Sequence, residues 1–361
     1  MVSKFLMESY KAIFKQPEDL KRTLIGIQGK LDRCVKYLEN VKRIILIGCG
    51  DSYFAALAGM YMFEEITNIK TYAENSYEFL TFRKNLDDKD LVIAISASGR
   101  TAKTVEAARC AKEKGVRVFA LTNTANSPLT KFADISIYTA VERPYGPPTA
   151  TSTAAMLAIA ALAMQYSRVN GFISNDVITT LIRELNDIPS KIGEMMSYVD
   201  NMVDKIIEVV LNTRIAYLIG GGPSFATALF GMAKLREVSW MHSIAFEVEE
   251  FCHYGMISID PSDTVILIAP SGKNIRRVKE LYKALRRIKA KTILVMDTNS
   301  KNEFSGDGPS ITIPRVHEIF SPIVFVIPLQ LLAIKLAMKR GMNVRGFRYG
   351  DILSKLIGYY E

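Results

Sequence analysis

Short apolar runs recur along the chain, among them IILIG (44–48), LVIAI (91–95), VRVFALT (116–122), AYLIG (216–220), TVILIA (264–269) and KTILVMD (291–297). The first, second, fourth and fifth close on a Gly- or Ser-rich turn, and a stretch with helical spacing follows. Continuous runs of Ile, Val and Leu predict strands buried on both faces of a parallel sheet. The fold class expected is α/β: two doubly wound domains, each a three-layer α/β/α arrangement around a parallel sheet. They are placed at 41–170 and 201–340, with a helical N-terminal arm over 1–40, a polar helical connector over 171–200 and a C-terminal tail over 341–361.

The pattern also repeats. IILIGCGDSYFAALAGM (44–60) matches AYLIGGGPSFATALFGM (216–232), pairing Gly48, Gly50, Ser52 and Gly59 with Gly220, Gly222, Ser224 and Gly231, each 172 residues on. LVIAISASGRTAKTV (91–105) resembles TVILIAPSGKNIRRV (264–278) in the same order. Two matched pairs at nearly one separation indicate an internal duplication.

Two longer apolar stretches invite another reading. Thr151 to Met164 is too short for a bilayer, which takes roughly 20 residues. Ile319 to Met338 is long enough but holds Pro322, Pro328, Gln330 and Lys335, and a buried strand followed by a core helix is expected there. No signal peptide pattern opens the chain. A soluble, cytoplasmic protein with no membrane partner is expected.

Composition narrows the classes. In 361 residues, 49% are apolar and 23% charged, which supports a sizeable core and excludes intrinsic disorder. Cys34, Cys49, Cys110 and Cys252 lie at neither disulfide-framework nor zinc-ligand spacing, and read as reduced thiols. The net charge of +9 suggests anionic partners. The densest basic cluster, Lys273 to Lys291, alternates with apolar residues and reads as a solvated helix face, so nucleic acid is not expected.

Ligands of open parallel sheets bind beyond the carboxyl ends of the strands. The turns GCGDS (48–52) and GGGPS (220–224) carry GxG but lack the third glycine of a dinucleotide fingerprint, and no P-loop occurs. Ser96-Ala-Ser-Gly-Arg-Thr101, with Thr104 beyond, places four hydroxyls between a buried strand and a helix. Hydroxyls plus helix N-terminal amides can hold a phosphate without lysine; helix capping by Ser98 or Thr101 is the plainer alternative. The corresponding Pro270–Asn274 turn keeps one hydroxyl, so the first domain is the expected phosphate binder. Lys234 and Glu237 share a helix face in apolar surroundings, where desolvation can raise a carboxyl pKa for acid/base work. Spacing alone favours a surface ion pair. Alone, His253 in EVEEFCHYG reads as a structural histidine and Lys355 as a solvated tail lysine.

Together these residues resemble the tandem sugar isomerase (SIS) family, in particular the isomerase half of glutamine:fructose-6-phosphate amidotransferases. The likeness runs from MESYKAIFKQPEDLKRTL (7–24) through GCGDSY, SASGRTAKT, KLREVSWMHSIAFEVEEFCHYG (234–255) and IFSPIVFVIPLQLLA (319–333) to the lysine near the end. The resemblance implies that Ser96, Ser98 and Thr101 hold a sugar phosphate, with Ser52 and the Gly50 turn in the same pocket and Lys234 lining the site. It implies that Glu237 moves a proton between C1 and C2 and that His253 helps open the ring, reaching the site from a neighbouring subunit. It further implies that Lys355 forms a Schiff base with the open-chain ketose, and that the protein is a homodimer with shared active sites. No glutaminase domain or N-terminal cysteine nucleophile is seen, so glutamine is not the expected nitrogen source. Ala97, Arg100, Asp51 and Phe230 depart from the family pattern around the sugar. The expected reaction is glucosamine 6-phosphate to fructose 6-phosphate and ammonia, without metal or redox cofactor. The alternatives are a deglycase for sugar–amino acid 6-phosphates, a simple phosphosugar isomerase and a non-catalytic phosphosugar-binding regulator.

Overall fold

The apolar runs do form strands, and alternate side chains along each serve opposite layers. The computed structural model describes residues 3–142, 150–304, 308–344, 348–349 and 352. The chain divides into two units, one of Gln16–Pro189 and Tyr349–Glu361, the other of Met1–Lys15 and Ser190–Arg348. Two helices lead, α1 (Lys4–Phe14) and α2 (Gln16–Tyr37). The first repeat follows as β1 (Arg43–Gly48), α3 (Asp51–Thr67), β2 (Lys70–Asn75), α4 (Ser76–Phe82), β3 (Asp90–Ile95), α5 (Ala102–Glu113), β4 (Arg117–Thr122), β5 (Ile135–Tyr138) and α6 (Ala150–Asn170). After α7 (Asn175–Leu211) comes the second repeat: β6 (Ala216–Ile219), α8 (Pro223–Ser239), β7 (Ser243–Phe246), α9 (Val248–Glu250), β8 (Thr264–Ala269), α10 (Ile275–Arg287), β9 (Lys291–Asp297), β10 (Ser310–Ile313) and α11 (Ser321–Lys339).

In the first unit the sheet order is β2-β1-β3-β4-β5, and in the second, read from the other edge, it is β7-β6-β8-β9-β10. All pairings are parallel and the two orders are the same. Ile45, Ile47, Val92 and Ala94 pack with Val105 and Ala108 of α5. Leu46 points the other way, toward Gly59 of α3 and Ile159 of α6. The second unit repeats this: Tyr217, Ile219, Val265 and Leu267 meet Val278 and Leu281 of α10, while Leu218 meets Gly231 of α8 and Leu329 of α11 lies beside it.

The duplication extends to single backbone angles and ion pairs. Gly50 and Gly222 have φ/ψ of 54°/−127° and 55°/−129°, and helices α3 and α8 both end on a left-handed residue, Asn68 (φ 54°) and Trp240 (φ 51°). Asn suits that region and Trp rarely enters it; the Arg348 guanidinium lies 4.7 Å from the Trp240 ring centroid. At the opposite, amino ends of the strands, Arg43 grips buried Asp90 with two hydrogen bonds of 2.7 and 2.6 Å, and Arg214 grips buried Asp263 at 3.1 and 2.9 Å.

Three expectations meet a different outcome. The arm over 1–40 is helical, but α1 belongs to the second unit and α2 to the first. Ser3 donates to Val344 O at 2.9 Å, and Leu6 and Ile13 of α1 are buried. From Asn175 on, the connector over 171–200 is part of one longer helix, α7, that continues to Leu211 with Pro189 inside it. The third concerns the stretch 319–338, expected as strand then helix, which is a single short turn and the helix α11. Pro322 sits in the first turn, where its missing N–H costs nothing, and the helix is apolar all round because it is buried all round. By length and composition α11 could cross a membrane, yet 94% of its apolar window is buried, with α8 and α1 packed against it.

Candidate functional site

β2 lies on one side of β1 and β3 on the other, so the chain leaves the carboxyl end of the sheet in opposite directions there. That reversal opens a crevice beyond β1 and β3. The GCGDS turn crosses it first. Gly50 takes a conformation that L side chains rarely adopt and presents Ser52, half-buried, in the first turn of α3. Gly48 admits no side chain, since a Cβ there would lie 2.6 Å from Ser52 C.

The hydroxyl loop follows β3. Ser96 Oγ accepts from Gly99 N at 3.1 Å and shares a 3.0 Å hydrogen bond with Thr101 Oγ1. Ser98 Oγ accepts from Arg100 N at 3.2 Å. Thr101 holds the N-cap position of α5, but its side chain makes no capping bond; helix capping by Thr101 is therefore not what its hydroxyl does. Thr104 corrects the count of four. It is fully buried, tied to Ser76 Oγ at 2.9 Å and to Cys49 Sγ at 3.8 Å, and so braces α5 rather than facing the crevice.

The end of β4 holds the loop in place, which the sequence did not signal. Ala97 O accepts from Asn123 N at 3.0 Å and from the Thr122 and Thr124 hydroxyls at 3.2 and 3.3 Å. Gly99 is left-handed (φ 63°) and a Cβ on it would overlap Ser127 Oγ, so only glycine fits. Neutral hydroxyls, first-turn amides and a helix N-terminus together form a cradle suited to an oxyanion.

In the second unit, α8 brings Lys234 and Glu237 together, Nζ to Oε2 at 2.5 Å. The lysine side chain is 1% exposed and the glutamate 26%. The Lys234 ammonium also lies 5.0 Å from the Phe230 ring centroid, a cation–π contact that spacing did not announce. His253 sits in a π-helical turn, Phe251–Gly255, with its side chain 69% exposed and Nε2 3.5 Å from Glu249 of the preceding turn. Among the described residues, its ion-pair partner is Glu249 and not Glu237. Burial pushes the neighbouring Cys252 thiol above its ordinary range. Lys355 lies outside the described residues.

Strand order, switch point and hydroxyl loop together define a duplicated α/β protein of the sugar-isomerase class. The SIS domain matches residues 37–165 and 211–340, and the chain belongs to that family. It is 32% identical over 334 residues to glutamine–fructose-6-phosphate aminotransferase (isomerizing) of Thermococcus kodakarensis, covering 92% of this chain and 55% of that one. The chain thus spans about half the length of the curated relatives it matches. The C-terminal domain of glucosamine-fructose-6-phosphate aminotransferase from Francisella tularensis superposes with a TM-score of 0.88 at 24% identity, over 93% of this chain and 97% of that one. Glucosamine-6-phosphate deaminase of Thermotoga maritima has the same fold, with a TM-score of 0.73 at 21% identity over 92% and 95% of the two chains.

Proposed function

We propose that the chain is an aldose–ketose isomerase of phosphorylated sugars whose reaction is the deamination of glucosamine 6-phosphate to fructose 6-phosphate and ammonia. The observation that carries this reading is the hydroxyl loop 96–101 at the switch point, whose Thr101 side chain leaves the first turn of α5 uncapped. Ser96, Ser98, Thr101 and Ser52 would bind the phosphate, contributing binding energy remote from the reacting carbons. His253 would assist ring opening. Glu237, positioned by Lys234, would take the proton from C2 of the open aldehyde and return it to C1. The resulting C2 iminium adds water and expels ammonia, leaving the ketose. Lys355 is assigned the Schiff-base role, and the active unit is a homodimer. A second reading, deglycation of a sugar–amino acid 6-phosphate, is supported by Arg100, an exposed guanidinium on the same loop that suits a substrate carboxylate.

The test is to incubate the purified protein with glucosamine 6-phosphate and measure ammonia and fructose 6-phosphate together. Equal release of both, lost in Glu237→Gln, supports the reading. Absence of both, with turnover of a sugar–amino acid 6-phosphate, replaces it with the second. Ligand binding without turnover of either leaves a regulator. Ser98→Ala with Thr101→Val removes hydrogen bonds to a charged group, each worth about 1.5–3 kcal/mol, and should raise KM by roughly 10- to 100-fold per bond while the fold holds, both residues being only part-buried.

A further inference from the structure

The backbone that carries His253 is fixed, while its side chain is held from one side. Phe251 is fully buried and packs with Tyr217 and Phe246, at ring centroid separations of 5.8 and 5.6 Å. A Cβ on Gly255 would lie 2.3 Å from the Phe251 ring, so the π-helical turn closes tightly around that anchor. Glu247 caps the segment, its Oε2 accepting from Glu249 N at 2.7 Å and Glu250 N at 3.3 Å. Single π-helical turns recur at functional sites. This one turns the His253 imidazole outward, with most of its surface in solvent.

An exposed imidazole samples several rotamers unless something holds it. Glu249 supplies the hold, its Oε1 lying 3.5 Å from His253 Nε2. That carboxylate is itself clamped. Arg277, on α10, donates from Nε to Oε2 at 2.5 Å and from Nη2 to Oε1 at 3.0 Å, a two-point fork that fixes the plane of the acceptor. Arg277 Nη1 donates to Glu280 Oε2 at 3.1 Å, and Arg276 reaches the other oxygen of Glu280 at 3.3 Å. Beneath them, Val278 and Leu281 anchor α10 in the core of the second unit. The imidazole is thus tied through one carboxylate to a rigid helix of the same unit. As a stabilising device the network is poor. Arg277 and Glu249 are 40% and 50% exposed, and such pairs add little to folding.

We infer that Glu249, clamped by Arg277, is a positioning residue that aims the His253 imidazole for ring opening. The inference rests on the ring-opening role proposed for His253. Opening a ketofuranose breaks the bond between C2 and the ring O5. A proton leaves the C2 hydroxyl, another is delivered to O5, and a carbonyl forms at C2. An imidazole serves such a transfer only with a nitrogen in hydrogen-bond reach, and a carboxylate at one nitrogen settles which of the two faces the sugar. With Nε2 toward Glu249, Nδ1 is the nitrogen presented.

The test compares two ketoses on the full chain. Fructose 6-phosphate must be opened, whereas 5-deoxyfructose 6-phosphate lacks the hydroxyl that closes the ring and is open from the start. Deuterium entering C1 from D2O containing ammonium chloride reports the proton transfer assigned to Glu237 in both. The ratio of the two exchange rates, cyclic to open, should fall by roughly tenfold in Glu249→Ala, a part of the 10²–10⁴ that general acid–base catalysis supplies. Arg277→Met should lower it in the same direction, and in a His253→Asn background neither change should lower it further. An unchanged ratio in either variant, or an equal fall with and without His253, overturns the inference. No exchange from either ketose by the natural chain overturns the phosphosugar reading, and the inference with it. Should Glu249→Ala not fold, Glu249→Gln keeps the side chain's size and is read in the same way.

Discussion

Lys234 is a buried ammonium whose carboxylate partner keeps about a quarter of its surface in water. Removing one partner of such a pair costs about 3–5 kcal/mol when the other charge is left buried. Glu237→Ala should lose less than that in urea unfolding, because Glu237 is itself part-exposed and Lys234 keeps a further interaction. Glu237→Gln, which keeps the side chain's size, should lose less stability than Glu237→Ala and as much activity. Stability and turnover thus separate the structural role of Glu237 from its proposed chemical one. The three-residue spacing and apolar flanks of this pair were visible in the sequence. That the lysine rather than the glutamate takes the burial was not, because it depends on which flank of α8 faces the sheet and on Phe230 covering the ammonium. The hydroxyl loop was likewise visible, but Thr104 was miscounted because spacing does not tell an inward hydroxyl from an outward one.

At the scale of elements, α3 and α8 approach their sheets through glycine at equivalent positions. A Cβ on Gly231 would lie 2.6 Å from both Leu218 and Leu329, and one on Gly59 would lie 2.9 Å from Ile159. Overpacking a filled core typically costs about 1–3 kcal/mol. Gly231→Ala should lower stability by that order despite the better helix propensity of alanine, as a thermal melt would show. The strands and most helices were legible because parallel-sheet strands are apolar throughout and end on turns. The repeat then confirmed each half against the other. What failed was α11, where unbroken hydrophobicity carries no period that separates strand from helix. The arm failed for a different reason: its two helices pack in different units, which local pattern does not encode. The paired Arg43–Asp90 and Arg214–Asp263 clamps were missed because each joins neighbouring strands far apart in sequence.

For the whole molecule, each unit holds a group whose neutral form is favoured by folding. Burial lifts the Cys34 thiol from 9.0 to about 11. Burial, with the Asp200 carboxylate beside it, lifts the Tyr10 hydroxyl from 10.0 to about 12. A group with a raised folded pKa binds its proton more tightly in the native state. Its contribution is therefore complete below the unfolded pKa and is lost as pH rises through the folded one. Stability should fall from about pH 9 upward, and Cys34→Ala should flatten the part of that fall between pH 9 and 11 in melts taken across the range. In the native chain Cys34 should also resist thiol reagents that reach it after unfolding, since it is fully buried.

Trp240 ends α8 in its left-handed cap under the Arg348 guanidinium, and the chain contains one tryptophan. The helix that bears Lys234 and Glu237 is consequently labelled by nature with a lone indole fluorophore. Its emission, uncontaminated by any second indole, gives a label-free optical record of that helix during ligand titration or rapid mixing.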